Sequence, residues 1–363
     1  MARFDDDRYT PASPDEPFSG TREIDRILPA DTPVADFYYS HRCREARVDN
    51  VLIVGVETVV GANLAVSLSE RFCVSGLSAS GPIPLAECRT GICDSFDADA
   101  VRQWASSVDA CWIIVCDAAA NSNWEQPETA ISGSSCVDNT TSLKNWAVVA
   151  RELECPLTYI SSDAVFTGPW MFHEEECTGL CASHVATAFR KMEKLVLETA
   201  PDAMVVRTNV FGWSTDADGL GWIERTLQDL ESDLAGPFDY LRHATPILAT
   251  DFVEILVKAF DAHLVGTYHI AGAERLNPNQ FVERLADEFG LPSPMPVNGN
   301  CLSERPLGFG RGETSLHTHA IRKALGVTMP TIADGLRRLR EQKLNGYCER
   351  LTSQNSTVHE KVA

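Results

Sequence analysis

The 363-residue sequence has no apolar run of membrane length, no Cys-x-x-Cys pair and no excess of basic charge. Its longest apolar stretches, such as Ala110–Cys116 (Ala-Cys-Trp-Ile-Ile-Val-Cys), fall far short of the roughly 20 residues that span a bilayer. The N-terminus is acidic and has no apolar centre, so no secretory leader is expected and the cytoplasm is the expected compartment. The twelve cysteines are scattered and no Cys/His cluster has ligand spacing. They read as reduced thiols serving as small apolar residues, and no metal is expected. Against 31 Lys and Arg stand 51 Asp and Glu, a net charge of −20. That charge argues against nucleic acid or an anionic membrane surface as a partner. It leaves room for an anionic small ligand, because helix N-termini and a few arginines can dominate a pocket.

The chain is long enough for one large or two modest domains, and its 44% apolar content is that of a soluble globular protein. Residues 1–48, rich in Asp, Pro, Arg and Ser, read as a flexible arm. Within it Ala35-Asp36-Phe37-Tyr38-Tyr39 could dock on the body or on a partner, or be a loop with aromatics. Residues 346–363 read as a polar tail. Between them strand and helix signals alternate. Val51–Val54, Cys111–Cys116, Leu157–Ser161 and Met204–Val206 are short apolar runs of the kind buried in parallel sheets. Ala62–Phe72, Ser142–Glu154 and Met192–Thr199 read as helices, and a second strand is expected to end near Val74–Ser78. This alternation predicts an α/β fold, a Rossmann-type doubly wound parallel sheet over residues 49–215. From 216 to 345 helices at Gly221–Glu231, Asp251–Phe260, Pro278–Phe289 and Ile332–Gln342 predict a small α/β C-terminal lobe interleaved with the sheet, with Val265–Ile270 returning as a strand.

Three local patterns carry chemistry. After the first strand comes Gly55-Val56-Glu57-Thr58-Val59-Val60-Gly61, a turn that opens a helix. In a dinucleotide site such glycines permit the tight turn, close approach to a pyrophosphate and helix–strand packing, while the helix N-terminus faces the phosphates. Here Thr58 stands at the middle position, and Glu57 adds negative charge to the loop. Second, Cys116-Asp117-Ala118-Ala119-Ala120 places small residues and a carboxylate after a buried strand. Third, Thr158-Tyr159-Ile160-Ser161-Ser162-Asp163-Ala164-Val165-Phe166-Thr167-Gly168 ends a buried strand in two hydroxyls and a carboxylate. Such strand ends line the ligand mouth of α/β sheets.

With Glu193–Glu198, the segment Ala203–Trp213 and the C-terminal stretches around Thr245-Pro246-Ile247, Gly266–Gly272 and Thr314-Ser315-Leu316, these motifs resemble the extended short-chain dehydrogenase/reductases over about 50–340. The dTDP-4-dehydrorhamnose reductase-like branch is the nearest in pattern. The resemblance implies NAD or NADP at Gly55, Thr58, Gly61, Asp94, Ala118 and Ala119, although Asp94 serves equally as a helix cap in the residue pattern. It implies a nucleotide or nucleotide-sugar ligand near Asn209, Trp213 and Arg305, with Arg311 nearby, and a carbonyl-polarising role for Ser162. Trp124 and Trp170 are further candidates for a pocket wall. The residue that would choose between NAD and NADP cannot be read at the second strand end.

The family's proton-donating Tyr and the Lys four residues later are missing. Placing Glu193 on the family's helix puts Val185 and Phe189 at those positions, and no tyrosine in the chain is followed by lysine at that spacing. His184, next to Val185, is the nearby residue that could serve as a substitute acid. Two functions follow from the resemblance. One is a catalytically degenerate relative that acts by binding or regulation, as the β subunit of methionine adenosyltransferase does within the same branch. The other is an active reductase of a nucleotide-linked 4-keto sugar that uses Ser162 and a non-standard proton donor. A homodimer or a protein partner is also implied.

Overall fold

The computed structural model describes residues 49–79, 81–122, 124, 135–215, 221–234, 238–294 and 312–352, with backbone alone for 135–139. Seven strands form one sheet: β1 (Asn50–Val54), β2 (Cys73–Ser78), β3 (Arg89–Ile92), β4 (Trp112–Cys116), β5 (Leu157–Ser162), β6 (Met204–Thr208) and β9 (Gly266–His269). Their order is β3-β2-β1-β4-β5-β6-β9, and every pairing is parallel. The chain therefore runs outward from β1 to β3, returns to the centre and runs outward again from β4. The crevice between β1 and β4 is the switch point where such sheets take ligands. A second parallel pair joins β7 (Val210–Phe211) to β8 (Ile247–Leu248).

The strands read as continuous apolar runs because both faces are covered. Alternate residues divide between two cores. Val51, Ile53, Trp112, Ile114 and Val206 pack on one face with α1 (Val59–Leu68), α6 (Ala249–Asp261), α7 (Pro278–Phe289) and α9 (Ile332–Leu344). On that face Trp112 stacks on Phe260, with ring centroids 4.1 Å apart and planes 9° from parallel. Leu52, Ile113, Val115, Tyr159 and Val205 pack on the other face with α2 (Ala98–Val108), α3 (Ser135–Glu152) and α4 (His184–Thr199). The remaining helices are α5 (Trp222–Glu231), α8 (His319–Leu325) and α10 (Tyr347–Leu351).

Local chemistry sets the ends of these helices. Asp97 caps α2 by accepting the Asp99 and Ala100 amides. Asn277 and Gln280 form a reciprocal capping box at α7, with Pro278 in its first turn. Three differences from the sequence reading stand out. Helix α1 begins three residues earlier than expected, because Thr58 is its cap. Helix α4 begins at His184, not Met192, since Val185, Phe189, Met192 and Val196 already form one buried face at helical spacing. Strand β3 was not expected, because its four residues, Arg-Thr-Gly-Ile, offer no apolar run. It is an edge strand held by pairing with β2.

One buried ion pair locks β5, β6 and α4 together. Arg207 donates to both carboxylate oxygens of Glu193, Nε at 3.0 Å and Nη2 at 2.8 Å. Ser161 donates to the same carboxylate at 2.6 Å. The Arg207 guanidinium also lies 5.0 Å from the Phe166 ring centroid. Bidentate geometry and a third donor are what a buried pair needs to offset desolvation.

Candidate functional site

The Gly55–Gly61 turn sits at the β1/β4 switch point. Gly55 adopts φ +87°, and a Cβ there would lie 1.6 Å from the Cys116 carbonyl oxygen. A Cβ at Gly61 would lie 2.2 Å from the Gly55 carbonyl oxygen. No side chain fits either place, so both glycines are obligatory for this path of the backbone. Thr58 has extended backbone angles and closes the turn on itself. Its hydroxyl donates to the Gly55 carbonyl at 2.8 Å and accepts the Gly61 amide at 3.0 Å. The turn thus has the shape for a pyrophosphate at a helix N-terminus. One amide of that N-terminus, that of Gly61, already has an internal acceptor.

Negative charge crowds the same turn. Asp117 caps the short 3₁₀ turn Ala118–Ala120 through the Ala119 amide at 2.8 Å, and the Tyr159 hydroxyl donates to its carboxylate at 3.2 Å. Burial pushes the Asp117 carboxyl up to about 6, against those hydrogen bonds. The Cys116 thiol lies well above its ordinary range, through burial first and then the charges of Asp117 and Glu57. Ala118 is partly exposed, and Ala119 is buried beneath it.

At the end of β5, Ser162 is buried. It accepts the Ala164 amide at 3.1 Å as the cap of the 3₁₀ turn Asp163–Val165, and it donates to the Asp163 carboxylate. Asp163, 1% exposed, is the hub of the sheet's C-terminal end. Thr314 donates to its Oδ2 at 2.7 Å and Asn209 Nδ2 at 3.0 Å, while Ser122 donates to Asn209 Oδ1 at 2.9 Å. The loops after β5 and β6 and the segment around Thr314 therefore meet on one carboxylate, and the loop after β4 joins them through Ser122 and Asn209. Burial raises the Asp163 carboxyl to about 7, although four hydrogen bonds pull it down.

The positions assigned to the missing Tyr and Lys are core. Val185 is 1% exposed and Phe189 is 0% exposed, and both pack with Tyr159, Phe166 and Met192. His184 is exposed on the first turn of α4, away from that buried face.

Other expected site residues fall in different settings. Asn209 joins the hub. Trp213 is buried, its indole donating to the Leu339 carbonyl at 3.1 Å and its own carbonyl accepting from Asn63 on α1 at 2.8 Å. Trp124 is also buried, whereas Trp170 is 67% exposed. Asp94 is exposed and accepts the Phe96 amide at 3.0 Å, and the cap of α2 is Asp97 instead. Arg305 and Arg311 lie outside the described residues. The sequence reading gave no individual role to Asp163, Ser122 or Tyr159, though Tyr159 and Asp163 stood in the quoted strand motif. Among the described residues no group of three or more His, Cys, Asp or Glu side chains is placed to hold a metal, and no helix is long and apolar enough to cross a membrane.

The sequence model of the RmlD substrate binding domain matches residues 49–344. The probable low-salt glycan biosynthesis reductase of Haloferax volcanii is 23% identical over 291 residues, which cover 78% of this chain and 95% of that protein. Among solved structures, dTDP-4-dehydrorhamnose reductase of Bacillus anthracis in complex with NADP superposes with a TM-score of 0.67 at 16% identity. It covers 82% of this chain and 100% of its own. UDP-glucose 4-epimerase of Thermotoga maritima, solved with UDP-glucose, superposes with a TM-score of 0.63 at 16% identity, covering 82% of this chain and 100% of its own.

Proposed function

This chain belongs to the RmlD substrate binding domain family, and we propose that within it the protein binds a nicotinamide dinucleotide and a nucleotide-sugar ligand while lacking Tyr/Lys-assisted hydride chemistry, so that it acts by binding or regulation. The observation that carries this reading is the state of Ser162. Its hydroxyl already caps the turn after β5 and counts among the groups that lower the Asp163 carboxyl, and where the resemblance expects the family's acid and lysine stand buried Val185 and Phe189. General acid–base help is worth roughly 10²–10⁴ in rate, and neither Val nor Phe supplies any.

The dinucleotide would lie across the Gly55–Gly61 turn, its phosphates on the Val59 and Val60 amides and its length along Ala118 and Ala119. NADP in the Bacillus anthracis reductase and UDP-glucose in the Thermotoga maritima epimerase support the two ligand classes. Thr58, Glu57 and Asp117 would weaken the phosphate contacts. When bound, the nicotinamide supplies or accepts hydride. The contribution of this chain would be to hold the ligands, with Asn209, Trp213 and Arg305 on the sugar-nucleotide side. We place the binding body in residues 49–352, because α10 buries Tyr347 and Leu351 against it where a polar tail was expected from 346, and take the 1–48 arm and residues 353–363 as candidate contacts to a protein partner or a second copy, in the cytoplasm.

A second reading has one observation in its favour. The Asp163 carboxyl, raised to about 7, shares a hydrogen bond with Ser162. A proton could pass from Asp163 through the Ser162 hydroxyl to a ligand carbonyl, which would make the protein an active reductase.

Calorimetric titration with NADH, NADPH, NAD⁺ and NADP⁺, followed by cofactor oxidation assays with 4-keto-sugar nucleotides, separates the readings. Binding without turnover supports the first. Turnover that Ser162→Ala and Asp163→Asn both abolish establishes the second. No binding at millimolar cofactor removes the dinucleotide from both.

A further inference from the structure

A second constellation with nucleophile geometry lies away from Ser162, on the segment between β5 and α4. His173 is 1% exposed and its ring stacks on Phe166, with centroids 4.6 Å apart and planes 3° from parallel. Its Nε2 lies 3.1 Å from the Glu313 carbonyl oxygen. A carbonyl only accepts, so Nε2 carries the ring proton and Nδ1 presents its lone pair. That lone pair faces the Cys177 sulfur at 3.1 Å. The Gly179 amide donates to the same sulfur at 3.3 Å.

These contacts make a nucleophile, a base within hydrogen-bond reach and a third group that orients the base, which is the geometric signature of an activated thiol. The base does not drift with its loop. The His173 amide donates to the Ser315 carbonyl at 2.8 Å, and the His173 carbonyl accepts the His317 amide at 2.8 Å. Burial, the largest influence on the imidazole, lowers its proton affinity below the ordinary histidine value, so it is neutral near pH 7 and free to accept a proton. Cys177 is half-buried, whereas Cys88, Cys93, Cys116, Cys155 and Cys181 are buried.

The surroundings select the electrophile. Glu174, Glu175 and Glu176 immediately precede Cys177, the first and third exposed and the second half-buried, and the whole chain carries a net charge of −20. Anionic electrophiles are repelled, and a partly covered sulfur favours a small one. We propose that Cys177 is a site of oxidation by hydrogen peroxide, with His173 as its base and the Gly179 amide as its anion-stabilising donor. Sulfur attacks one peroxide oxygen as the thiol proton moves to Nδ1, an S–O bond forms and the O–O bond breaks. The departing hydroxide takes the proton back from the imidazole and leaves as water. Sulfur is oxidised by two electrons to the sulfenic acid, and peroxide is reduced by the same two.

The test treats the reduced full-length protein with hydrogen peroxide while a dimedone reagent traps sulfenic acid, and reads each cysteine by peptide mass spectrometry. Cys73, Cys111 and Cys348, also half-buried, serve as internal references. Cys177 is expected to be trapped on the order of a hundredfold faster than they are, the low end for general-base assistance. His173→Gln is expected to bring it down to their rate while the melting temperature holds. Equal rates at Cys177 and the references in the wild-type protein, a comparison that needs no variant to fold, overturn the proposal. An unchanged Cys177 rate in a folded H173Q protein overturns it as well.

Discussion

The Thr58 hydroxyl accepts the Gly61 amide at 3.0 Å, so the residue that stands where the resemblance expects a glycine is also the cap of the helix behind it. A cap and a phosphate site compete for the same first-turn amides. In this chain the cap holds one of them.

Thr58→Gly therefore separates stability from binding. Replacing an N-cap Thr by Gly costs only a few tenths of a kcal/mol. The change frees the Gly61 amide and removes a branched side chain from the phosphate path. Calorimetry is expected to show cofactor affinity rising about tenfold, near 1.4 kcal/mol, with a melting temperature close to that of the wild type. Equal affinity in both proteins would mean that Thr58 does not face the phosphates.

Asp163 makes a prediction about pH. Its carboxyl holds a proton up to about 7 in the folded protein, against an ordinary value of 3.8. Between those limits the folded state binds more protons than the unfolded one, so this group's contribution to stability falls as pH rises from about 4 to 7 and is level above that. One such group changes stability by at most about 1.4 kcal/mol per pH unit. His269 has the opposite sign. Burial holds it at about 3, so its contribution is lost as pH falls from about 6.5 to 3. The difference between wild type and Asp163→Asn cancels the His269 term. Urea unfolding at several pH values is expected to show that difference sloping between pH 4 and 7, and a flat difference would refute the raised carboxyl.

Phe189 tests the position that the resemblance gives to a catalytic lysine. Phe189→Ala is expected to cost about 3–5 kcal/mol in denaturant unfolding, as for other buried Phe truncations. Phe189→Lys is expected to cost more, because a charged amine would enter an apolar cluster with no partner. Val185→Tyr with Phe189→Lys is then expected to fail as a restoration of reductase activity. A folded, active double variant would show that the helix face can turn toward the ligand mouth.

The apolar runs at Val51–Val54, Ala110–Cys116 and Leu157–Ser161, and the strand-turn-helix at Gly55–Gly61, were enough to name a doubly wound parallel sheet. They work because burial on both faces of a strand and a turn forbidden to any Cβ leave local traces in residue type. That no tyrosine is followed by lysine four residues later was legible too, since it is a matter of spacing alone. Strand β3 left no such trace, since its pairing with β2 outweighs the composition of Arg89–Ile92. The commitments of the polar groups were equally hidden. Asp163, Asn209, Ser122 and Thr314 come from positions up to 192 residues apart in the chain, between Ser122 and Thr314, and meet only when three strand ends and a distant loop converge. His173 and Cys177 are close in sequence, yet which ring nitrogen faces the sulfur is settled by the carbonyl of Glu313. Residue type and spacing carry the backbone path, whereas hydrogen-bond partners and proton affinities depend on neighbours that folding alone brings within reach.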